Sequence, residues 1–136
     1  TIFAATAYGS SNANRRLRVF KNIGGVWTLY GTDSNGGNFN GIISYSVILS
    51  ADGHTIAVGT FGPIKVFSYN SNTGIWTQKG EDIPNNTGIS NFGYSIKLSD
   101  DGNTVAIGAP ESPIVPEAGT TQVFEFETDR PVCSHL

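Results

Sequence analysis

Apolar and polar residues alternate along several short segments of the chain, which is the pattern of a β-strand with one exposed face. The clearest examples are residues 122–127 (QVFEFE), 64–69 (IKVFSY) and 17–21 (LRVFK). Two other segments, 55–59 (TIAVG) and 104–108 (TVAIG), contain small and β-branched residues without charge. That composition indicates strands buried on both faces. No segment has a convincing helical period, so the pattern predicts an all-β fold.

An Asp-Gly pair follows a strand-like segment twice, at Asp52-Gly53 and Asp101-Gly102. Asp-Gly is a strong hairpin signal because both central residues of the turn need a positive φ. The two pairs lie 49 positions apart, and the same offset relates other identical residues: Trp27 and Trp76, Gly31 and Gly80, Asp33 and Asp82, Leu49 and Leu98, Thr55 and Thr104, and Gly59 and Gly108. So many matches at one offset predict a tandem repeat.

Each repeat is predicted to contain four antiparallel strands. In the central repeat these are residues 45–50, 55–59, 64–69 and 74–79. Four strands that run from a buried inner part to a polar outer part, at this period, are typical of a β-propeller blade. We therefore expect a single β-repeat domain across residues 1–136, with a partial blade in 1–31, a full blade in 32–80, a partial blade in 81–127 and a tail or last strand in 128–136.

Phe92-Gly93, followed by Gly108-Ala109-Pro110, resembles the FG-GAP repeat of integrin-α-like propellers. Residues 74–110 as a whole are similar to the variant of this repeat that is common in secreted, multi-repeat proteins. The preceding unit departs from the motif, with Ile43-Ser44 in place of Phe-Gly and Gly59-Thr60-Phe61 in place of Gly-Ala-Pro. The resemblance implies an extracellular or cell-surface protein of the β-propeller type, with a role in adhesion, ligand recognition or scaffolding.

Charged residues make up 14% of the chain, and its net charge is −3. A phosphate-binding surface needs an excess of positive charge, so this composition argues against a nucleic-acid partner. No apolar segment reaches the roughly 18–20 residues of a membrane-spanning helix. Because the chain contains no methionine, we expect Thr1 to follow a processing site or to lie within a longer protein. The single cysteine, Cys133, has no internal disulfide partner, and together with His135 it provides too few ligands for structural zinc.

The resemblance also raises the question of calcium, because many family members carry an Asp-x-Asp-x-Asp-Gly loop between the first two strands of a repeat. This chain has only the short turns around Asp52 and Asp101 at that position. Calcium takes about six to eight oxygen ligands, which such a turn cannot supply. Residues 33–41 (DSNGGNFNG) have alternating oxygen ligands but lack a closing acidic residue, so an interblade loop is the better interpretation. We expect turn-forming aspartates, no metal site and no cofactor.

Catalytic residues have little support in the sequence. His54 lies in a predicted turn and His135 in the terminal tail, and neither belongs to a motif with an acidic partner or a nucleophile. Glu125 and Glu127 lie two residues apart on an outer strand, where a solvated edge explains them best. Residues 15–18 (RRLR) form the only basic run, which either meets an acidic partner or is a solvated entry to a strand. We therefore expect a protein that is not an enzyme.

Two groups of residues are candidates for modification or binding. Asn85-Asn86-Thr87 is an acceptor sequon for N-glycosylation in a predicted interblade loop, so Asn85 is the candidate glycosylation site. Aromatic faces stack on sugar rings, which makes four residues candidates for contacting a glycan or another ligand: Trp27, Tyr30, Tyr69 and Trp76. Packing between neighbouring blades is the stronger interpretation of the two tryptophans, because they occupy equivalent positions of the repeat.

A closed propeller typically needs about four or more blades, and this chain has fewer than three. Incomplete blades leave unpaired strands and uncovered faces, which promote association. The chain is then part of a larger propeller, closes a ring with further copies, or joins copies head to tail in a filament. We expect a non-enzymatic, secreted or cell-surface structural protein that self-assembles as a homo-oligomer or filament. The alternative is a carbohydrate- or ligand-binding module for adhesion that uses the interblade loops.

Overall fold

A computed structural model describes residues 1–7, 16–32, 44–60, 62–85, 91–110, 119–127 and 130–134. Within these ranges the chain forms eleven strands, which confirms the prediction of an all-β fold. The strands are β1 (Ile2–Ala7), β2 (Arg16–Ile23), β3 (Val26–Leu29), β4 (Ser44–Leu49), β5 (Thr55–Thr60), β6 (Lys65–Asn70), β7 (Ile75–Gln78), β8 (Ser95–Leu98), β9 (Thr104–Ala109), β10 (Thr120–Glu127) and β11 (Arg130–Ser134).

The strands form three antiparallel sheets in chain order. The first sheet contains β1, β2 and β3, the second contains β4 to β7, and the third contains β8 to β11. In each sheet every strand pairs with its neighbours in sequence, as in a meander. The tail of the chain supplies the last strand of the third sheet, where Cys133 pairs with Phe124. The described strands form only these three sheets and do not close into a propeller ring.

The Asp-Gly pairs form the turns that enter β5 and β9. In the first turn the Ser50 hydroxyl donates to Asp52 Oδ1 at 2.6 Å, and the backbone N–H of His54 donates to the same oxygen at 2.9 Å. Gly53 has a φ of +73°, a backbone conformation that residues with a Cβ rarely adopt. Asp52 itself has no positive φ, so the prediction that both central residues of the turn adopt one is wrong. The aspartate forms the turn through its side chain, which accepts the two hydrogen bonds.

The second of these turns has the same construction. Ser99 Oγ donates to Asp101 Oδ1 at 2.6 Å, and the backbone N–H of Asn103 donates to the same oxygen at 3.0 Å. Gly102 has a φ of +72°. These hydrogen bonds to ionised oxygens hold the pKa of Asp101 below its ordinary value, the bond from the Ser99 hydroxyl contributing most.

Each sheet has two faces of different composition, which follow from the strand register. Directly opposed residues of an antiparallel pair point to the same face, and successive residues of a strand point to opposite faces. One face carries an Ala-Val pair in every sheet: Ala4 with Val19, Ala57 with Val66, and Ala106 with Val123. The other face carries a larger pair: Phe3 with Phe20, Ile56 with Phe67, and Val105 with Phe124. We call these the Ala-Val face and the Phe face.

Two hydrophobic cores join the sheets through unlike faces. In the first core, Val19 on the Ala-Val face of the first sheet packs with Ile56 and Phe67 on the Phe face of the second. In the second core, Ala57 and Val66 pack with residues of the third sheet that include Val105, Ile107 and Phe124. Burial of each such side chain contributes about 1.5–3 kcal/mol of transfer free energy. The sheets thus follow one another in a fixed order, Ala-Val face onto Phe face.

Candidate interaction surfaces

The Phe face of the first sheet is an exposed apolar surface. Phe3 is 55% exposed, Trp27 is 52% exposed and Leu29 is 51% exposed. Phe3 and Trp27 meet edge to face with ring centroids 6.4 Å apart, and together with Phe20 they line a cavity of about 430 Å³. Side chains of this size are usually covered, and a contiguous apolar patch on a protein surface typically marks an interaction site.

The same face is covered in the second sheet. Trp76 occupies the position in the second sheet that Trp27 occupies in the first. Trp27 pairs with Asn22, which lies two residues after Phe20. In the same way, Trp76 pairs with Tyr69, which lies two residues after Phe67. Only 1% of Trp76 is exposed. Its indole Nε1–H donates to the carbonyl oxygen of Tyr30 at 2.8 Å, which ties the second sheet to the end of the first. Packing between neighbouring sheets, which the sequence led us to expect of both tryptophans, is therefore found for Trp76 and is wrong for Trp27, which no described sheet covers.

Three of the four candidate aromatic residues form one cluster. The ring centroids of Tyr30 and Tyr69 lie 4.2 Å apart, and those of Tyr69 and Trp76 lie 5.2 Å apart. Burial and the neighbouring Tyr69 raise the pKa of Tyr30. These aromatic side chains pack on one another across the boundary between the first two sheets, whereas Trp27 lies away from them on the Phe face of the first sheet.

His54 has partners that the sequence motifs do not reveal. Its Nδ1 lies 3.3 Å from Asp52 Oδ2, and its Nε2 lies 2.9 Å from the Tyr30 hydroxyl. The ring also stacks on Tyr69, with an interplanar angle of 5°. Asp52 could have been recognised as the acidic partner because it is only two residues away, but Tyr30 is distant in sequence. This carboxylate–imidazole–phenol series links the turn of the second sheet to the first sheet.

The boundary between the second and third sheets has its own polar contacts. Lys79 Nζ donates to the Gly102 carbonyl oxygen at 3.0 Å and to Asn103 Oδ1 at 2.7 Å, and it lies 5.2 Å from the centroid of the Phe126 ring. The backbone N–H of Ala51 donates to the carbonyl oxygen of Asp100 at 3.1 Å. The Ala51–Asp100 bond joins the Asp-Gly turns of the two sheets, and Lys79 joins the end of β7 to the second of these turns.

The Phe-Gly half of the sequence signature lies at the same boundary. Phe92 is buried in the second core, and Gly93 has a φ of +83°. The Ser46 hydroxyl of the second sheet donates to the Gly93 carbonyl oxygen at 2.7 Å. Gly59 lies directly against that oxygen, and a Cβ at Gly59 would collide with it. The turn thus approaches the second sheet at a place where only a glycine leaves room.

The Gly-Ala-Pro half of the signature lies on the third sheet. Gly108 pairs with Ser95, as Gly59 pairs with Ser46 in the second sheet. Gly108, Ala109 and Pro110 line a pocket of about 320 Å³ together with residues of β10 and the start of β8: Tyr94, Ser95, Gly119, Thr120 and Thr121. We call this pocket the Ser95 notch.

The third sheet also has an uncovered Ala-Val face. Ala106 and Val123 are half-buried, and no described sheet packs on them. Two charged residues lie on the same face, Lys97 opposite Ala106 and Glu125 two residues after Val123, and both are exposed. The described chain therefore ends in two different surfaces, an apolar Phe face on the first sheet and a smaller, partly charged Ala-Val face on the third.

The other candidate residues are dispersed. Asn85 is exposed, and the rest of its sequon lies outside the described residues, as do residues 33–41, His135 and Arg15. Arg18, Glu125 and Glu127 are exposed on their strands. Among the described residues, no cluster of three or more His, Cys, Asp or Glu side chains could hold a metal ion. No helix in the described part of the chain has the length and apolarity to cross a membrane.

Comparison with known proteins adds no assignment. The chain matches no protein-family model, and neither the curated proteins nor the solved structures gave a match.

Proposed function

We propose that this protein is a non-enzymatic, secreted or cell-surface structural protein of the β-propeller-repeat type that assembles with further copies of itself. The Phe face of the first sheet in one copy packs on the Ala-Val face of the third sheet in another. One observation carries the proposal: Trp76 is buried on the second sheet while the equivalent Trp27 is 52% exposed on the first.

The contact would repeat what the chain already does twice. Within one copy, an Ala-Val face always meets the Phe face of the next sheet. Ala106 and Val123 have the sizes that Ala57 and Val66 have in the second core. Lys97 lies opposite Ala106, the position that Ile48 has opposite Ala57 in the second sheet. The aliphatic part of a lysine side chain can cover apolar surface while its ammonium group stays in water. The apolar side chains of the two surfaces are thus compatible in size.

The contact is heterologous, because it joins two different surfaces of the chain. Such a contact closes into a ring when the rotation between copies closes and otherwise continues as a filament. Either product removes the exposed aromatic patch from water. An exposed Asn85 in an acceptor sequon agrees with a secretory route for the protein.

The test is the mass and shape of the native particle, measured by light scattering and electron microscopy at several concentrations. The proposal predicts a particle larger than one chain, either a closed ring or a regular fibre. Trp27→Glu places a charge in the contact and should yield monomers. Val26→Glu is the matched control, because Val26 is 65% exposed on the opposite face of the same strand and should leave the assembly intact.

A second function is favoured by the same aromatic surface. The cavity lined by Phe3, Phe20 and Trp27 could accept the apolar face of a sugar ring, which would make the protein a carbohydrate-binding module. A protein that stays monomeric and changes its Trp27 fluorescence on addition of glycans would favour this function. Assembly without any response to glycans favours self-association.

A further inference from the structure

Tyr30 and Tyr69 contact each other across the boundary between the first two sheets. Their ring centroids lie 4.2 Å apart, and the ring planes are inclined by 33°. Tyr30 directly follows β3 of the first sheet, whereas Tyr69 belongs to β6 of the second. Both side chains are half-buried, so part of each remains in contact with water. Two phenol rings on different sheets thus meet at a place that a small oxidant can reach.

The phenol of Tyr30 has a proton acceptor at hydrogen-bond distance. His54 Nε2 lies 2.9 Å from the Tyr30 hydroxyl oxygen, and His54 Nδ1 lies 3.3 Å from Asp52 Oδ2. When the carboxylate accepts a hydrogen bond from Nδ1–H, Nε2 of the neutral imidazole accepts the phenolic O–H. Burial raises the pKa of Tyr30, so its hydroxyl stays protonated near neutral pH. A protonated phenol that loses an electron must also lose its proton, and His54 is in place to take it.

Tyr94, whose side chain the structure also describes, has neither feature. It is 60% exposed, and within the described part of the chain no ring stacks on it and no histidine lies at hydrogen-bond distance from its hydroxyl. Tyr94 is therefore a matched control for a reaction that depends on the contact between Tyr30 and Tyr69.

We propose that Tyr30 and Tyr69 form an oxidative cross-link, a carbon–carbon bond between an ortho ring carbon (Cε) of each phenol. Each tyrosine loses one electron and one proton, with Tyr30 passing its proton to His54 Nε2 and Tyr69 releasing its proton to water. The two phenoxyl radicals join through their ortho carbons, and the hydrogens on these carbons move to the phenol oxygens to restore the aromatic rings. The oxidant is hydrogen peroxide acting through a haem peroxidase, and the two electrons and two protons convert each peroxide molecule to two waters.

The cross-link concerns a boundary inside one copy, so it does not depend on the proposed self-association. It would close a covalent loop in the chain from Tyr30 to Tyr69 and join the first sheet to the second. A bond that closes such a loop restricts the unfolded chain, as a disulfide does, and stabilises the fold in the same way. The sequence has a single cysteine, Cys133, and so cannot provide an internal disulfide.

The test treats the intact protein, diluted so that single chains prevail, with a haem peroxidase and an equimolar amount of hydrogen peroxide. Trypsin then releases Tyr30 in residues 22–65. Tyr69 lies in the next peptide, residues 66–79. We expect mass spectrometry to detect the two peptides joined and lighter by two hydrogen atoms than their sum. Fragmentation should place the bond at Tyr30 and not at Tyr45, which lies in the same peptide.

Three variants assign the reaction to these side chains. Tyr69→Phe keeps the ring and should abolish the joined peptides, whereas Tyr94→Phe should leave their yield unchanged. His54→Phe keeps an aromatic ring beside Tyr69 but removes the proton acceptor, so we expect cross-linking at least tenfold slower at about pH 7. The difference from the wild type should shrink towards about pH 10, where a phenol ionises without a base.

Three results would overturn the proposal: no joined peptides, a bond that links two copies or another tyrosine, or an unchanged yield from Tyr69→Phe. For His54, a rate equal to that of the wild type, or one slowed by the same factor at every pH, would overturn its assignment as proton acceptor. We expect the same product from Trp27→Glu. The cross-link and self-association are thus measured separately, and either can fail while the other stands.

Discussion

Trp76 donates its indole N–H to the carbonyl oxygen of Tyr30 at 2.8 Å, and this bond crosses from the second sheet to the end of the first. The indole is buried, so its removal leaves a cavity in the first core as well as an unpaired carbonyl oxygen. We expect Trp76→Ala to lower the free energy of unfolding by about 3–5 kcal/mol, measured by urea denaturation.

Trp27→Ala provides the matched comparison, because it removes the same side chain at the equivalent position of the first sheet. Measured at a protein concentration where single chains prevail, it should cost less than about 1 kcal/mol, since the ring is already half in water. Equal losses of stability for the two variants would mean that the first sheet is covered in the isolated chain, contrary to the exposure of Trp27.

Gly102 controls how closely the third sheet approaches the second. A Cβ at Gly102 would lie 2.5 Å from Thr55 Oγ1, and the φ of +72° is unfavourable for alanine. Gly102→Ala should therefore destabilise the fold by more than the roughly 1–2 kcal/mol of the left-handed conformation alone. Gly24→Ala, at a φ of +59° with no atom within 4 Å of the added Cβ, isolates the backbone contribution. If both variants lose the same stability in urea denaturation, the close contact at Thr55 has no energetic effect.

The two Asp-Gly turns make the fold sensitive to acid. The pKa of Asp52 is lowered by hydrogen bonds, first from the Ser50 hydroxyl and then from the His54 backbone N–H, and the pKa of Asp101 is lowered in the same way. A carboxyl whose pKa is lower in the folded state stabilises the fold above its unfolded pKa of about 3.9, and this stabilisation is lost as the pH falls through the folded pKa.

We expect Asp101→Asn to reduce the melting temperature at about pH 5, because an amide oxygen accepts the same hydrogen bonds more weakly than a carboxylate. The difference from the wild type should shrink towards about pH 2, where the wild-type carboxyl is protonated too. Thermal unfolding followed by circular dichroism across this range tests the prediction. A difference that is constant with pH would show that the charge of Asp101 does not contribute.

Ser46 and Ser95 occupy equivalent positions but should affect stability differently. Ser46→Ala removes the hydroxyl that donates to Gly93, which should lower the free energy of unfolding by about 1 kcal/mol. Ser95→Ala changes an exposed residue that lines the notch and should leave the stability of the isolated chain within about 0.5 kcal/mol of the wild type. A larger effect at Ser95 than at Ser46 would contradict the role assigned to the Ser46 hydroxyl.

The local parts of the fold could be predicted from the sequence because short-range chemistry determines them. Asp-Gly marks the turns before β5 and β9, and the uncharged β-branched segments after it correspond to those two strands. The exposure of Trp27 could not be predicted, because its sequence surroundings resemble those of Trp76 and the difference lies in which sheet packs in front. The same holds for His54, whose contact with Tyr30 depends on how the first two sheets meet.

The signature residues illustrate the same limit. Phe92-Gly93 and Gly108-Ala109-Pro110 are recognisable as a motif, yet Gly93 contacts Gly59 of the preceding sheet rather than Gly108 of its own. Only the packing of one sheet on the next reveals that Ser46 and Gly59 form the site that holds the turn. The equivalent pair in the third sheet, Ser95 and Gly108, follows from the matching register.

Acrylamide quenching of tryptophan fluorescence in the unmodified protein, across a wide range of concentration, tests self-association most directly. The chain has two tryptophans, of which Trp76 is buried and Trp27 is exposed, so quenching reports on Trp27. We expect strong quenching in dilute protein and weaker quenching as the concentration rises, because the Ala-Val face of a second copy would cover Trp27. If quenching is as strong in concentrated as in dilute protein while light scattering detects assembly, the contact between copies lies elsewhere. If quenching does not change with concentration and the chain remains monomeric, self-association is contradicted altogether.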